Sequence, residues 1–272
     1  MLGLGKFRKT WQWGAFGKHP VARDYFKISH NTPVFDAFES WVEKGYAALT
    51  KSQKLDQEVY SWRFLAKGLK KGDLISGVVK DSSDSIGRPF PLLIIGEGKL
   101  EGCEEHWERL PYYFEKTWEQ LEYISSRRLT GLSDFEKEIK SIKRPDDNGQ
   151  RHLQSFKEAI NRNQPVHIDE TQVKQTADAL SREKMVLISL DVDNGVKNDM
   201  QGDEQEQSGY PVDYQADYLA RAGIWSSRLK TYGSGMPNAV FIGGAREKHH
   251  IGVFSRPINM ADFVRLWSAS SL

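Results

Sequence analysis

Residues 62–95 read WRFLAKGLKKGDLISGVVKDSSDSIGRPFPLLII. Two apolar runs, Leu74–Val79 and Phe90–Ile95, flank a polar loop from Ser82 to Pro89. A third run, Val59–Ala66, precedes them across a Gly/Lys turn. Short runs of β-branched and aromatic residues bounded by Gly, Ser, Asp and Pro predict adjoining strands. The loop between the last two carries Asp84, Gly87 and Arg88 at close spacing, a grouping that invites a functional reading.

Working towards the N-terminus, Trp11–Phe16 predicts a strand, and Gly17 to Phe26, punctuated by Gly and Pro, predicts a loop. From Pro33 to Leu49 the apolar residues Phe35, Phe38, Trp41, Val42 and Tyr46 recur at helical spacing. Asn31 or Thr32 can cap this helix, with Pro33 at its first position. Towards the C-terminus, Gly96–Gly102 reads as a turn-rich break. Trp107–Ile124 follows as an amphipathic helix with Pro111 near its start. Ser133–Ile142, Arg151–Asn161 and Thr171–Arg182 predict shorter helices, and Met185–Val192 a buried strand. The acidic stretch 193–217 buries too little apolar surface to offset ordering, which predicts an exposed insertion. Tyr218–Leu229, with Gly223-Ile224-Trp225, reads as a strand. Ala239–Gly243 and Ile251–Phe254 form a hairpin, and Met260–Trp267 a terminal helix capped by Asn259.

Strands at both ends, with helices between and after them, predict one α/β domain over residues 1–272, with a mixed sheet covered by helices on both faces. The alternative is two subdomains divided near residues 145–165.

The chain has 272 residues, with 38 Lys and Arg against 37 Asp and Glu, giving a net charge of +1. Such balance offers no electrostatic reason to expect nucleic acid or an anionic membrane as partner. A single cysteine, Cys103, excludes an intrachain disulfide and fits a reducing compartment. The N-terminus lacks the apolar core of a signal peptide, and no apolar stretch is long enough to span a bilayer. A cytoplasmic protein without direct membrane insertion is the expectation.

Several motifs fall short of the chemistry they suggest. Gly14-Ala15-Phe16-Gly17-Lys18-His19 has the wrong spacing for a phosphate loop and lacks its hydroxyl, so it reads as a strand-to-loop turn. Asp191-Val192-Asp193-Asn194-Gly195 resembles the start of a calcium loop, but its glycine falls one place early and position twelve is Gly202. Cys103 with His106, and His249 with His250, lack the second spaced pair of a zinc site. No metal or cofactor is expected. A hydrolase or phosphate-binding site could be assembled from Lys18, Arg23, Asp24, Asp84 and Arg88, although no Gly-x-Ser-x-Gly elbow is present. Against it stands a structural reading, in which Asp84 accepts backbone hydrogen bonds, Gly87 supplies positive φ and Arg88 pairs with a carboxylate such as Asp24. Asp24 and Arg88 are therefore expected to lie close in space. The eight tryptophans, spread over nearly every element, are expected in the core.

Gly14-x-Phe16-Gly17-Lys18-x-Pro20-x-x-x-Asp24-x-Phe26, with Trp41 in the next helix, resembles the opening of the TagF family of type VI secretion accessory proteins. Trp62-Arg63-Phe64, then Gly77-Val78, then Ser82-x-Asp84-x-x-Gly87-Arg88-x-Phe90-Pro91-Leu92, is similar to that family's second block. The resemblance is best over residues 11–125. Gly223-Ile224-Trp225-Ser226 and Gly235-Met236-Pro237 are similar to late family elements, while Asp81 stands where the family often has proline. The resemblance implies a three-layer α/β/α sandwich and a non-enzymatic regulator. It implies post-translational repression of the secretion apparatus by binding one of its components, a forkhead-associated scaffold protein. Gly17, Lys18, Pro20, Asp24, Trp62, Arg63, Ser82, Asp84, Gly87, Arg88 and Pro91 then form the structural or interaction motif.

Overall fold

The computed structural model describes residues 11–28, 32–51, 58–145, 169–182, 184–190, 213–233, 235–245 and 248–269. The strands are β1 (Gln12–Gly17), β2 (Phe26–Ile28), β3 (Ser61–Lys67), β4 (Asp73–Lys80), β5 (Leu92–Lys99), β6 (Met185–Ser189), β7 (Ala239–Ala245) and β8 (Lys248–Phe254). The helices are α1 (Pro33–Lys51), α2 (Leu110–Ser126), α3 (Leu132–Lys140), α4 (Glu170–Ser181), α5 (Asp213–Thr231) and α6 (Met260–Leu266), and a 3-10 turn at Trp107–Arg109 leads into α2.

All eight strands join one sheet in the order β2-β1-β5-β4-β3-β7-β8-β6, and every described pairing is antiparallel. The expected mixed sheet is therefore corrected. Continuous apolar runs report only that both faces are covered, and say nothing of strand direction. Direction follows instead from the connections. The five-residue turn between β3 and β4 and the two-residue link between β7 and β8 can only reverse the chain.

The side-chain period of two sorts each central strand onto two faces. Trp62, Phe64, Ile75, Val79, Leu93, Ile95 and Phe241 meet α1 and α6 through Phe38, Trp41, Val42, Phe263 and Trp267. Leu65, Leu74, Val78, Leu92, Ile94, Val240 and Ile242 meet α2, α3 and α5 through Phe114, Trp118, Leu121, Phe135, Ala222 and Trp225. Helices thus lie on both faces. On the first face Phe241 is fully enclosed, with its ring 5.4 Å from Phe64, 5.6 Å from Trp41 and 5.5 Å from Phe254. Helix α6 is held at its start by a capping box, in which Asn259 accepts from Ala261 and Asp262 while Asp262 accepts from Asn259. Arg256 reaches the same Asp262 carboxylate with both terminal nitrogens, at 2.7 and 2.8 Å.

Other elements also differ from the sequence reading. The break expected at Gly96–Gly102 is strand as far as Lys99, because indoles stand in for the missing side chains. A Cβ on Gly96 would lie 2.4 Å from the Trp13 ring, and one on Gly98 2.6 Å from Trp11. The strand expected at Tyr218–Leu229 is part of α5. Tyr218, Ala222, Trp225 and Leu229 are buried at helical spacing, and Gly223 is small because the Tyr112 hydroxyl would lie 2.3 Å from its Cβ. The strand expected to be buried at Met185–Val192 is the sheet edge, half-covered, and ends at Ser189. Strand β2 starts at Phe26, where the expected loop ends, in a stretch for which no strand was expected. The helix expected at 151–161, the calcium-like stretch 191–195 and most of the acidic insertion fall outside the described residues, while Asp213 already begins α5.

Of the tryptophans, Trp13, Trp41, Trp62, Trp107, Trp118, Trp225 and Trp267 are buried, as expected. Replacing Phe241 with alanine empties the meeting point of three rings. The expected loss is about 3–5 kcal/mol of unfolding free energy by urea denaturation.

Candidate functional site

Strand β4 ends at Lys80 and β5 begins at Leu92, and the loop between them closes on itself in layers. Ser83 and Pro89 form an antiparallel bridge, and the Phe90 N–H donates to the Ser82 carbonyl at 3.0 Å. Inside that ring, the Asp84 N–H donates to the Arg88 carbonyl and the Gly87 N–H to the Asp84 carbonyl, at 3.2 and 3.0 Å. Gly87 turns the chain at φ +82° with open space around it, so its requirement is conformational.

The Asp84 side chain points into this turn and is buried. Its Oδ1 accepts from the backbone N–H groups of Ile86 at 3.2 Å and Arg88 at 2.9 Å. Its Oδ2 accepts from Arg88 Nε at 2.7 Å and faces Lys18 Nζ at 3.1 Å. A carboxylate offers about four acceptor positions, and all are taken. Burial alone would raise the Asp84 pKa. The Arg88 N–H, the Lys18 ammonium, the Arg88 guanidinium and the Ile86 N–H outweigh it and hold the carboxyl well below the usual range. Bonding to Asp84 in turn raises the Arg88 pKa.

Lys18 and Arg88 also tie this loop to the one that follows β1. Lys18, itself buried, donates to the Arg88 carbonyl at 3.5 Å and lies 4.6 Å from the centre of the Tyr25 ring. Arg88 Nη2 donates to the Arg23 carbonyl at 2.6 Å and sits 3.5 Å from Asp24 Oδ2. The Asp24–Arg88 proximity expected from the sequence is present, though both side chains are solvated and the pair contributes little. The Ser85 N–H adds a bond to the Ala22 carbonyl at 2.8 Å. Pro20 occupies the second position of the turn closed by the Ala22 N–H on the His19 carbonyl, where its fixed φ fits. Gly17, at φ +121°, passes so close to Pro91 that a Cβ would lie 2.0 Å from the Pro91 carbonyl oxygen.

The motif residues of the two blocks thus divide. Gly17, Lys18, Pro20, Asp24, Ser82, Asp84, Gly87, Arg88 and Pro91 gather around one pair of loops, together with Arg23. Trp62 and Arg63 do not join them. Trp62 is a core residue between the sheet and its α1 side. Arg63 projects from the opposite face of β3 and meets the Glu122 carboxylate of α2 at 2.7 and 2.6 Å. The Trp118 and Tyr218 rings lie 5.9 and 5.6 Å from its guanidinium. Burial would lower the Arg63 pKa, but the Glu122 pair raises it further. Arg63 is therefore the charged pin of α2 on the sheet.

Three features escaped the sequence reading. Tyr25 and Ile86 are large apolar side chains exposed at the two loops, at 53% and 67% of full accessibility. An isoleucine inside an otherwise polar loop was the available signal. Glu122 could not be assigned to Arg63, since 59 residues separate them. Asp81, noted only as a departure from the family pattern, bonds the backbone N–H of Tyr60 and the indole of Trp267. His19 accepts from the Val21 N–H at 3.2 Å, and burial lowers its pKa. Cys103 is buried, with its thiol pushed up to about 12 by that burial, so it is poorly placed for thiolate chemistry. Among the described residues no three metal-ligating side chains gather.

A family model described as the TagF N-terminal domain, type VI secretion system-associated, matches residues 14–144. This segment of the chain is similar to the TagF N-terminal domain. The matched segment runs from β1 through α3 and so contains both loops, Arg63 and Glu122. Among solved structures, the chain is similar to PA0076 from Pseudomonas aeruginosa PAO1, a crystal structure at 2.05 Å resolution. The two are 22% identical with a TM-score of 0.38, over 50% of this chain and 64% of that one. No curated protein matches. No helix among the described residues is long and apolar enough to cross a membrane.

The two glycines separate strain from collision. Gly87→Ala is expected to cost about 1 kcal/mol, the left-handed penalty alone. Gly17→Ala is expected to cost about 3 kcal/mol, because the backbone must also move. Urea denaturation of both variants compares them directly. Asp84→Asn tests the charge. Because the native pKa is depressed, Asp84 stabilises the fold above its ordinary pKa, about 4, and that contribution fades as pH falls below it. The stability gap between the protein and Asp84→Asn is therefore expected to be widest near neutrality and to shrink in acid, as read from thermal melts across pH.

Proposed function

We propose that the protein is a non-enzymatic, cytoplasmic regulator of a type VI secretion system, repressing it after translation by binding one of its components. A forkhead-associated scaffold protein is the partner that the resemblance to the TagF family implies. The observation that carries the reading is the state of the Asp84 carboxylate. All its acceptor positions are filled by groups of its own loop and by Lys18, so the strongest candidate for acid–base chemistry is committed to holding the loop shape. A general base needs a free lone pair within reach of a substrate proton. What the fixed loops offer instead is a firm surface that exposes Tyr25 and Ile86 together with Arg23 and Arg88 of the same two loops. Aromatic and apolar side chains flanked by arginine are favourable at protein interfaces. A three-layer arrangement of helix, sheet and helix, as the family implies, would leave these loops at one end of the sheet, where they are open to a partner.

The test is capture from a strain with an active secretion system, paired with effector release. The tagged protein is expected to retain a secretion component, and overproduction to lower effector release. Tyr25→Ala combined with Ile86→Asp should weaken capture about tenfold or more while leaving the melting temperature within about 2 °C. Capture of no secretion component, with unchanged effector release on deletion and overproduction, would overturn the reading.

A further inference from the structure

A cavity of about 170 Å³ lies behind the motif loop, where Ser82, Pro89 and Phe90 form one wall and Tyr46, Tyr60 and Trp267 the others. That is slightly more than the roughly 150 Å³ known to admit a benzene molecule, so the space suits one large side chain. The Tyr46 and Phe90 rings stand 5.0 Å apart, and those of Tyr60 and Trp267 6.4 Å apart. Val59 is 61% exposed beside it, and Glu58 is also exposed.

Asp81 is the inward-facing carboxylate of the lining, with no ion pair among the described residues, whereas Glu58 is exposed at the mouth. Its Oδ2 accepts from the Tyr60 N–H at 2.8 Å and its Oδ1 from Trp267 Nε1 at 2.7 Å. Two of about four acceptor positions are thus used. The adjacent cation forms no ion pair with it. Lys80 points to the other face of the sheet, where its ammonium donates to Ser125 and Ser126 of α2 at 3.5 and 3.2 Å. Burial accordingly raises the Asp81 carboxyl pKa, only partly offset by the Tyr60 and Trp267 bonds and by the charge of Lys80. Asp84 has Lys18 and Arg88, Arg63 has Glu122 and Asp262 has Arg256, whereas Asp81 faces an aromatic hollow.

We propose that this cavity receives an arginine side chain of the polypeptide the protein binds. A guanidinium is flat, stacks on aromatic faces and presents paired N–H donors to the two unused positions of a carboxylate. An arginine stem also suits the apolar mouth at Val59. The proposal rests on the binding reading above and names the feature of the partner that would enter.

The experiment uses the full chain labelled with nitrogen-15, following the indole N–H resonance of Trp267, assigned by its loss in Trp267→Phe. N-acetyl-arginine methylamide is titrated against its neutral isostere N-acetyl-citrulline methylamide and against N-acetyl-lysine methylamide. The arginine compound is expected to shift the resonance saturably in the millimolar range. The citrulline compound should not, the lysine compound should bind several-fold more weakly, and Asp81→Asn should weaken arginine binding at least about tenfold. Asparagine keeps an acceptor for one of the two internal bonds. If that variant does not fold, arginine against citrulline on the unaltered chain decides alone. No saturable shift, or equal shifts with arginine and citrulline, or undiminished binding by a folded Asp81→Asn, would overturn the proposal. Lysine binding as tightly as arginine would overturn the guanidinium assignment. Arginine binding without capture of a secretion component leaves the cavity assignment standing and removes the regulatory reading, and the converse result removes the cavity assignment alone.

Discussion

A sheet covered on both faces gives its strands nowhere to solvate a charge. Residues on either side of β3, β4, β5 and β7 enter apolar layers, so any ionised group rooted there must bring its partner into the protein. Arg63 does so with Glu122, on the face where α2 docks. At the sheet's end, where β4 gives way to β5, the same demand is met by Asp84. Its loop is wound so that two backbone N–H groups, one guanidinium and one ammonium converge on a single carboxylate. Lys18 comes from the loop after β1, so satisfying Asp84 also fixes how the two motif blocks meet.

This requirement explains why the motif residues sit at such regular intervals. Asp84 reaches the N–H groups two and four residues ahead only if the intervening chain turns sharply, which places glycine at 87 and lets Arg88 fold back. Gly17 is needed for a different reason, the passage of β1 beside the Pro91 carbonyl. Both blocks describe one object, a pair of interlocked loops, although more than sixty residues separate them in the chain. The loop is held by its own bonds, which would limit the ordering entropy that the proposed binding has to offset.

Much of this was legible in the sequence because the signals were local. The strand–loop–strand unit around Ser82–Pro91, the helix after Pro33, the Asn259 cap and the Asp24–Arg88 proximity follow from period, punctuation and charge within short windows. The failures have a common physical source in contacts made across the fold. Gly96 and Gly98 looked like a break because their missing side chains are replaced by Trp13 of β1 and by Trp11 just before it, neighbours that register alone supplies. Gly223-Ile224-Trp225 looked like a strand because short-range propensity outweighed the helical recurrence of Tyr218, Ala222, Trp225 and Leu229. Strand direction was misjudged because two-sided burial gives the same continuous apolar pattern to parallel and antiparallel strands.

The same distinction separates what the two aspartates at the motif loop can do. Asp84 and Asp81 lie three residues apart at the end of one strand, yet their surroundings differ in kind. One is saturated by donors and kept charged, and exchanging any of its bonds for a ligand would loosen the paired loops that carry Tyr25 and Ile86. The other keeps unused acceptor positions among aromatic rings, with its neighbouring lysine on the far side of the sheet. The proposed binding role calls for both kinds of group. One must give the surface a fixed shape, and the other must leave an electrostatic demand that only a correctly charged partner can meet. Asp84 has the chemistry of the first role and Asp81 that of the second; Asp84 lies inside the loop closed by the Ser83–Pro89 bridge and Asp81 just before it, at one end of the sheet.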